Sequence, residues 1–286
     1  MKLYSINTGH FKLDGGAMFG VVPKSMWQKL NAPDENNMCS WAMRCLLIED
    51  GDRLILVDNG MGNKQDAKFF GHYFLHGDDT LEKSLAKNGF STDDITDVFL
   101  THLHFDHCGG SIKREDEKLI PAFKNAIFWS NKSHWQWATN PNDREKASFL
   151  KENILPIQES GKLKFIDTDP IFFGEGLGVR FTENIKIRFI NGHTEAMMLP
   201  QINYKGKTIV YMADLLPSVA HIPIPYIMAY DTRPLQTLQE KKSFLTEAQQ
   251  NDYILFFEHD PSIECCTLQL TERGIRSRGT FTISEI

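Results

Sequence analysis

Short apolar runs that end in polar or glycine-rich stretches recur along the chain and predict its strands. Two such runs, residues 42–48 and 53–57, flank a turn that contains a glycine, and they predict a β-hairpin. Residues 201–214 repeat this plan with a second pair of strand-like runs around a glycine turn. Each pair ends in an aspartate, Asp58 or Asp214, so two similar halves would bring both carboxylates to a shared cleft.

Further elements follow from the spacing of apolar residues. It predicts helices over residues 80–88, 131–138 and 143–154, and strands over residues 98–100, 126–129, 162–166 and 179–190. Residues 111–118 are polar and charged, and we expect them to form a solvated surface. A chain of 286 residues without a linker or a break in composition is compatible with one large α/β domain spanning residues 1–286.

The densest chemistry lies in residues 101–110, directly after an apolar run. His102, His104, Asp106 and His107 stand within six residues there, and imidazole and carboxylate groups suit Zn²⁺. On a strand the first three would point the same way, whereas a loop can aim four groups at two neighbouring metals. Ordinary packing does not call for this spacing, so we interpret the stretch as a metal site. Cys108 is an alternative ligand, although His107 fills the expected position.

Three later residues share the setting of this motif, because each follows an apolar run. They are His193, Asp214 and His259. A single histidine after a strand is more often structural, but three such residues in order strengthen the case for metal binding. Asp58 also ends a strand, where it would either support a metal ligand or cap the following turn.

Composition and charge narrow the function classes. The formal net charge of −6 argues against a general nucleic-acid binder, which normally has a basic excess. No window approaches the ~18 apolar residues that span a bilayer, and residues 1–7 lack the apolar core of an export signal. We therefore expect a cytoplasmic protein without a membrane partner. Its five cysteines match no disulfide framework, which favours reduced, buried thiols.

Two apolar segments are candidate linings of a substrate pocket. Met18 and Phe19 follow a pair of glycines that permits a tight turn, and Phe69 and Phe70 belong to an aromatic-rich stretch. Core packing is the alternative interpretation of both segments.

The order of the histidine motif, Gly192-His193-Thr194, a strand-ending aspartate and a late histidine resembles the metallo-β-lactamase superfamily over about residues 40–260. The resemblance implies an αββα sandwich with the site at one edge of its two sheets. It also implies which residues hold two zinc ions: His102, His104 and His193 for one, Asp106, His107 and His259 for the other, and Asp214 bridging both. Asp58 matches the aspartate that supports the site from behind.

Two Zn²⁺ ions about 3.5–4 Å apart can share a water and lower its pKa towards ~7. The resulting hydroxide would attack an ester, lactone, thioester or phosphoester, while the second metal polarises the oxygen that gains negative charge. Asp106 and Asp214 are the candidates for steering protons afterwards. Iron, manganese and cobalt are alternatives to zinc.

Within the superfamily, the chain is most similar in plan to the quorum-quenching lactonases and the methyl-parathion-hydrolase-like enzymes. The similarity rests on residues 13–19, residues 57–60, the seven ligands and His259-Asp260-Pro261. It implies a hydrolase that opens lactones or cleaves related small-molecule esters, as N-acyl homoserine lactonases do. Two positions depart from that pattern: Pro217 stands where many lactonases have a tyrosine, and Glu195 follows the Gly-His-Thr motif where proline is frequent.

Other functions stay open. A thioester hydrolase of the glyoxalase II type would use basic residues near the C-terminus, and Arg273, Arg276 and Arg278 are available. A phosphotriester or aryl-ester hydrolase would use the same metals, and a non-catalytic zinc-binding domain is the alternative outside enzymes. The oligomeric state is open, with a dimer among the alternatives.

Overall fold

The computed structural model describes residues 1–167, 171–172 and 177–286. The strands of these residues are β1 (Lys2–Asp14), β2 (Met38–Asp50), β3 (Arg53–Val57), β4 (Asp97–Phe99), β5 (Ile112–Glu115), β6 (Lys118–Pro121), β7 (Ile127–Asn131), β8 (Leu163–Ile166), β9 (Ile171–Phe172), β10 (Leu177–Arg180), β11 (Ile185–Ile190), β12 (Met197–Tyr204), β13 (Lys207–Tyr211), β14 (Ile254–Phe256), β15 (Cys265–Thr271) and β16 (Gly274–Phe281). The α-helices are α1 (Gly15–Phe19), α2 (Lys24–Trp27), α3 (Ala67–Gly71), α4 (Leu81–Lys87), α5 (Phe105–Cys108), α6 (Lys132–Thr139), α7 (Lys151–Glu159) and α8 (Pro234–Gln250). Short 3₁₀ turns cover Gly109–Ser111, Ala213–Leu215, Val219–His221 and Ile283–Glu285.

The chain divides into two compact units. The first comprises Met1–Gly9 and Met43–Pro170, and the second comprises His10–Ala42 and Ile171–Ile286. The prediction of a single domain over residues 1–286 stays a prediction.

The first unit contains most of a six-stranded sheet with the order β1-β2-β3-β4-β7-β8. Strands β3, β4, β7 and β8 run parallel to one another, and β2 joins β3 as an antiparallel hairpin. Leu56, Val98 and Phe128 on the central strands are fully buried and form part of its hydrophobic core. Because parallel strands end at the same edge of a sheet, the residues that follow β3 and β4 meet there.

The second unit contains an eight-stranded sheet with the order β16-β15-β14-β13-β12-β11-β10-β9. Its strands pair antiparallel except for β13 and β14, which run parallel with Tyr211 opposite Phe256. Because β13 and β14 are parallel, the residues that follow these two strands lie at the same edge of the sheet. Helix α8 buries Thr237, Lys241 and Phe244, which lie three or four residues apart and therefore share one face.

Most of the predicted elements are confirmed. The hairpin β2–β3, the second hairpin β12–β13 and the helix α4 lie where the sequence places them, and Thr80 caps α4. Three predictions were wrong in detail. Residues 143–148 form turns before α7 begins at Lys151, the glycine pair after β1 begins helix α1, and residues 179–190 contain two strands instead of one. The solvated surface predicted over residues 111–118 is confirmed for residues 113–118, which are exposed and include most of β5 and the start of β6.

Among the helices of the described residues, none combines the length and apolar character that a membrane-crossing helix requires.

Candidate metal centre

The histidine motif begins where β4 ends, beside the residue that follows β3. Asp58 lies there with a φ of 54°, and its carboxylate accepts the Thr101 backbone N–H at 2.8 Å and the Thr101 hydroxyl at 2.6 Å. Asp58 also lies 3.1 Å from His107 Nδ1, and all three residues are buried. Both carboxylate oxygens of Asp58 face the motif, which favours a role in supporting the motif over a role as a turn cap.

The motif turns its imidazoles towards one another. His102 Nε2 lies 3.1 Å from His104 Nδ1, and His102 Nδ1 lies 3.1 Å from the Thr101 hydroxyl. The single turn of α5 carries Asp106 and His107, whose Oδ2 and Nε2 atoms are 3.8 Å apart. With Asp58 accepting the Nδ1–H of His107, the Nε2 lone pair is left for a metal.

His134 stabilises the motif from helix α6, and sequence reasoning missed it. Its Nε2 accepts the backbone N–H of Leu103 at 2.8 Å, which fixes the peptide between the first two histidines. The backbone N–H of His134 in turn donates to Asn131, the cap of the helix, at 2.8 Å. The sequence contains no spacing signal for this role, because His134 reaches the motif only through the packing of α6.

The second unit gathers three further donors. His193 follows β11, Asp214 follows β13 in a 3₁₀ turn, and His259 follows β14. Asp214 Oδ2 lies 3.0 Å from His193 Nε2, and Asp214 Oδ1 lies 3.3 Å from His259 Nε2. The parallel pairing of β13 with β14 explains why Asp214 and His259 meet, since both leave the sheet at the same edge.

The remaining ring nitrogens of His193 and His259 are also held by oxygen atoms. His193 Nδ1 lies 2.8 Å from Asp231 Oδ1, and His259 Nδ1 lies 2.8 Å from the Ala42 carbonyl oxygen. Asp231 was missed in the sequence because it lies 38 residues from its partner in an irregular segment. Burial opposes protonation of His193, but Asp214 and Asp231 outweigh it and raise the pKa of this imidazole to about 10. The carboxylates of Asp214 and Asp231 thus favour a positive charge on or beside the His193 ring.

Close packing of α8 requires a glycine before His193. A Cβ atom on Gly192 would lie 2.3 Å from the Thr237 backbone nitrogen. Arg233 lies directly before the first residue of α8 and forms an ion pair of 2.7 Å with Glu195. Glu195, which departs from the lactonase pattern, therefore links the His193 loop to the start of the helix.

Pro217, the other departure, also has a structural role. Its carbonyl oxygen accepts the backbone N–H of His259 at 3.1 Å. Nearby, His221 is buried, receives a 2.8 Å contact from the Ser218 hydroxyl and lies 2.9 Å from the Met18 carbonyl oxygen. Burial lowers the pKa of His221 to about 3, so this imidazole is neutral at physiological pH.

The seven predicted ligands belong to clusters of buried histidine and aspartate side chains that could hold a metal ion. Five imidazoles and two carboxylates suit zinc, and four of the imidazoles have one ring nitrogen within 3.1 Å of a protein oxygen. Within the described residues, Cys108 is not a member of these clusters. Its thiol lies 3.3 Å from the Leu103 carbonyl oxygen, and burial raises its pKa to about 12.

The four candidate pocket residues differ in burial. Met18 and Phe19 are buried, and the Phe19 ring stacks on His221 with centroids 4.7 Å apart. Phe69 and Phe70 are half-buried in α3, and the Phe69 ring lies 5.3 Å from that of Phe105 inside the motif. Their roles in substrate binding stay predictions.

Comparison with known proteins identifies the family. A model of the metallo-beta-lactamase superfamily matches residues 44–259, which is more than half of the chain. The chain belongs to the metallo-β-lactamase superfamily. Its predicted α/β fold class is confirmed, with mixed sheets flanked by helices.

Individual relatives agree with this assignment. The N-acyl homoserine lactonase AiiA of Bacillus thuringiensis subsp. kurstaki is 27% identical over 165 residues, or 54% of this chain and 56% of that protein. The chain thus spans little more than half the length of this relative. A probable metal-dependent hydrolase from Staphylococcus aureus has a TM-score of 0.87 at 27% identity, covering 98% of this chain and 96% of that one. AidC, a dizinc quorum-quenching lactonase, has a TM-score of 0.77 at 24% identity over 98% and 95% of the two chains, which shows the shared fold alone.

Lys241 in α8 fixes the segment that leads to Asp231. Its Nζ atom donates to the carbonyl oxygens of Pro223 at 2.9 Å and Tyr226 at 2.8 Å. Burial lowers the pKa of Lys241 to about 7, although Asp231 acts in the opposite direction.

Lys241 should therefore make folding depend on pH. Between pH 7 and 10.5 the unfolded chain holds a proton on Lys241 that the folded chain lacks, so the free energy of unfolding rises with pH. The contribution is at most about 1.4 kcal/mol per pH unit. Urea unfolding of metal-free protein across this range should show a steeper rise in the wild type than in Lys241→Met. Equal slopes in the two proteins would contradict this assignment.

Proposed function

We propose that the protein is a dinuclear zinc hydrolase that opens lactones and cleaves related small-molecule esters, in the manner of an N-acyl homoserine lactonase. One zinc would be held by His102, His104 and His193, the second by Asp106, His107 and His259, with Asp214 bridging both. Iron, manganese and cobalt are the alternative metals. A cytoplasmic location is proposed on the ground that all five cysteines are buried thiols and none belongs to a disulfide.

One observation carries the proposal. In four of the five histidines, one ring nitrogen contacts a protein oxygen at 2.8–3.1 Å while the other faces a second member of the donor set. Histidines that pack as ordinary core residues have no need of this arrangement, whereas metal ligands commonly have it because the held proton fixes the ring and its tautomer. The buried carboxylates of Asp106 and Asp214 complete a donor set that suits zinc.

The chemistry of such a site is hydrolytic. Two bound zinc ions would supply a water-derived nucleophile at neutral pH and stabilise negative charge on a carbonyl oxygen. The chain's own residues orient the donors: Asp58 holds His107, Asp231 holds His193, and the Ala42 carbonyl holds His259. Asp106 and Asp214 are the proposed carriers of a proton towards the leaving oxygen. Lactone specificity, and with it a role in quorum quenching, is supported by the similarity to AiiA.

A substrate panel on zinc-loaded protein tests the substrate class. We expect kcat/KM for acyl homoserine lactones and aryl esters to exceed that for glutathione thioesters, phosphotriesters and β-lactams by about tenfold or more. Such a ratio requires only ~1.4 kcal/mol of differential transition-state binding. Preference for the thioester would favour a thioester hydrolase of the glyoxalase II type, and preference for the phosphotriester would favour a phosphotriester hydrolase. A zinc-loaded protein that hydrolyses none of these compounds would support a non-catalytic zinc domain.

A further inference from the structure

A buried carboxylate outside the seven predicted ligands lies beside the motif. Glu145 belongs to the turns between α6 and α7 and is only 3% exposed. Its Oε2 atom accepts two N–H groups, from Trp137 Nε1 at 2.7 Å and from Asn142 Nδ2 at 2.6 Å. These contacts fix the carboxylate plane, so that the other oxygen, Oε1, is directed at 3.6 Å towards Nε2 of His104.

The two nitrogens of His104 therefore have different surroundings. Nδ1 lies 3.1 Å from His102 Nε2, on the side of the proposed metal, and Nε2 lies on the side of Glu145. The His104 ring also packs against Phe149, with centroids 4.7 Å apart. In addition, the Phe105 backbone N–H donates to the Ser148 carbonyl oxygen at 3.0 Å. The segment that carries Glu145 thus also contacts the motif through Ser148 and Phe149.

From this geometry we infer that Glu145 is a positioning residue that keeps the proton of neutral His104 on Nε2 and leaves Nδ1 available to a metal. The inference rests on the proposed metal centre. A carboxylate oxygen accepts hydrogen bonds and cannot donate one when ionised, so it favours the tautomer with the N–H on its own side. The separation of 3.6 Å exceeds that of a normal hydrogen bond, and such contacts often tighten when a site is filled.

Glu145 completes a pattern. Asp58 faces His107 and Asp231 faces His193, so each of these two ligands already has a carboxylate on its far nitrogen. Glu145 would give the same support to His104. Its effect on the reaction would be indirect, through the orientation and tautomer of a ligand.

Glu145→Gln separates this role from simple packing. The glutamine oxygen can still accept from Trp137 and Asn142, which turns its NH₂ group towards His104 Nε2. That group donates, so it favours a lone pair on Nε2 and a proton on Nδ1, the nitrogen that the metal needs. We therefore expect the zinc affinity of the variant to fall about 10- to 100-fold, the usual loss when the outer partner of a metal ligand is changed. Competition with a chromophoric zinc chelator measures it.

The tautomer itself provides a measurement without metal. In metal-free, ¹⁵N-histidine-labelled wild-type protein, we expect the NMR signals of His104 to show the proton on Nε2, and those of Glu145→Gln to show it on Nδ1. Glu159→Gln is the matched control, because Glu159 is exposed on α7 and should change neither result. Trp137→Phe removes one N–H that fixes Glu145 and should lower zinc affinity in the same direction by a smaller factor.

Two results would overturn the inference. One is a wild-type His104 with its proton on Nδ1. The other is a wild-type zinc affinity in both Glu145→Gln and Trp137→Phe. If Glu145→Gln does not fold, the wild-type tautomer and the Trp137→Phe affinity still decide. A wild type that binds no zinc would instead refute the proposed function, and the tautomer measurement would still judge Glu145 separately.

Discussion

Replacing Asp214 with alanine is expected to lower kcat/KM for the best substrate by about 1,000-fold or more. Asp214 lies within 3.0 Å of His193 and 3.3 Å of His259, so its carboxylate is shared by the two histidine donors of the second unit. Metals contribute several kcal/mol of transition-state stabilisation, and each ~1.4 kcal/mol corresponds to a factor of ten. Loss of the proposed bridge should therefore lower both the metal content and the rate.

The control for this variant is Asp78→Ala, which removes an exposed aspartate of the first unit. Steady-state hydrolysis and elemental analysis on the same samples separate the two effects. An Asp214→Ala protein with wild-type kcat/KM would refute the role of this residue.

Two replacements of Asp58 should have different main effects: Asp58→Asn should lower zinc affinity, and Asp58→Ala should lower the free energy of unfolding. Asparagine tolerates the positive φ of this position, so Asp58→Asn changes the hydrogen bonds with little backbone strain. Its NH₂ group would face the Thr101 hydroxyl or His107 Nδ1, which favours a proton on His107 Nε2. Zinc affinity should fall about 10- to 100-fold. Asp58→Ala leaves the buried N–H and O–H donors of Thr101 without their acceptor and should lower the free energy of unfolding by about 3 kcal/mol or more.

Asp97→Asn is the matched control for Asp58→Asn. Asp97 is a buried aspartate of β4 whose partners are Arg53 at 2.7 Å and Trp129 at 2.7 Å. Its replacement should reduce stability in urea unfolding but leave zinc affinity unchanged. Zinc affinity that falls equally in both variants would mean that Asp58 acts through overall stability alone.

The part of the site that the sequence could predict is the part defined by strand ends. The residues His102, Asp214 and His259 each follow a recognisable apolar run, and parallel pairing of β3 with β4 and of β13 with β14 brings such ends to one edge. The Thr80 cap and the glycine turns similarly have local signals that do not depend on the rest of the fold.

Apart from Asp58, the residues that contact the proposed ligands could not be predicted in this way. Asp231 lies 38 residues from His193, and His134 lies 31 residues from Leu103. Each stands alone in its segment, so no spacing marks it. The sequence predicts a helix over residues 143–154, because apolar positions recur there at helical spacing. In the structure Glu145 lies in turns instead, and its backbone N–H donates to the side chain of Asn142. Such contacts exist only after the chain has folded.

Metal analysis of the purified wild-type protein tests the central claim most directly. We expect close to two zinc ions per chain, or two of iron, manganese or cobalt together, and clearly fewer in Asp214→Ala prepared in the same way. Removal of the metal with a chelator should abolish hydrolysis, and zinc should restore it. Wild-type protein with no more than trace transition metal, and with hydrolysis that is insensitive to chelation, would contradict the account.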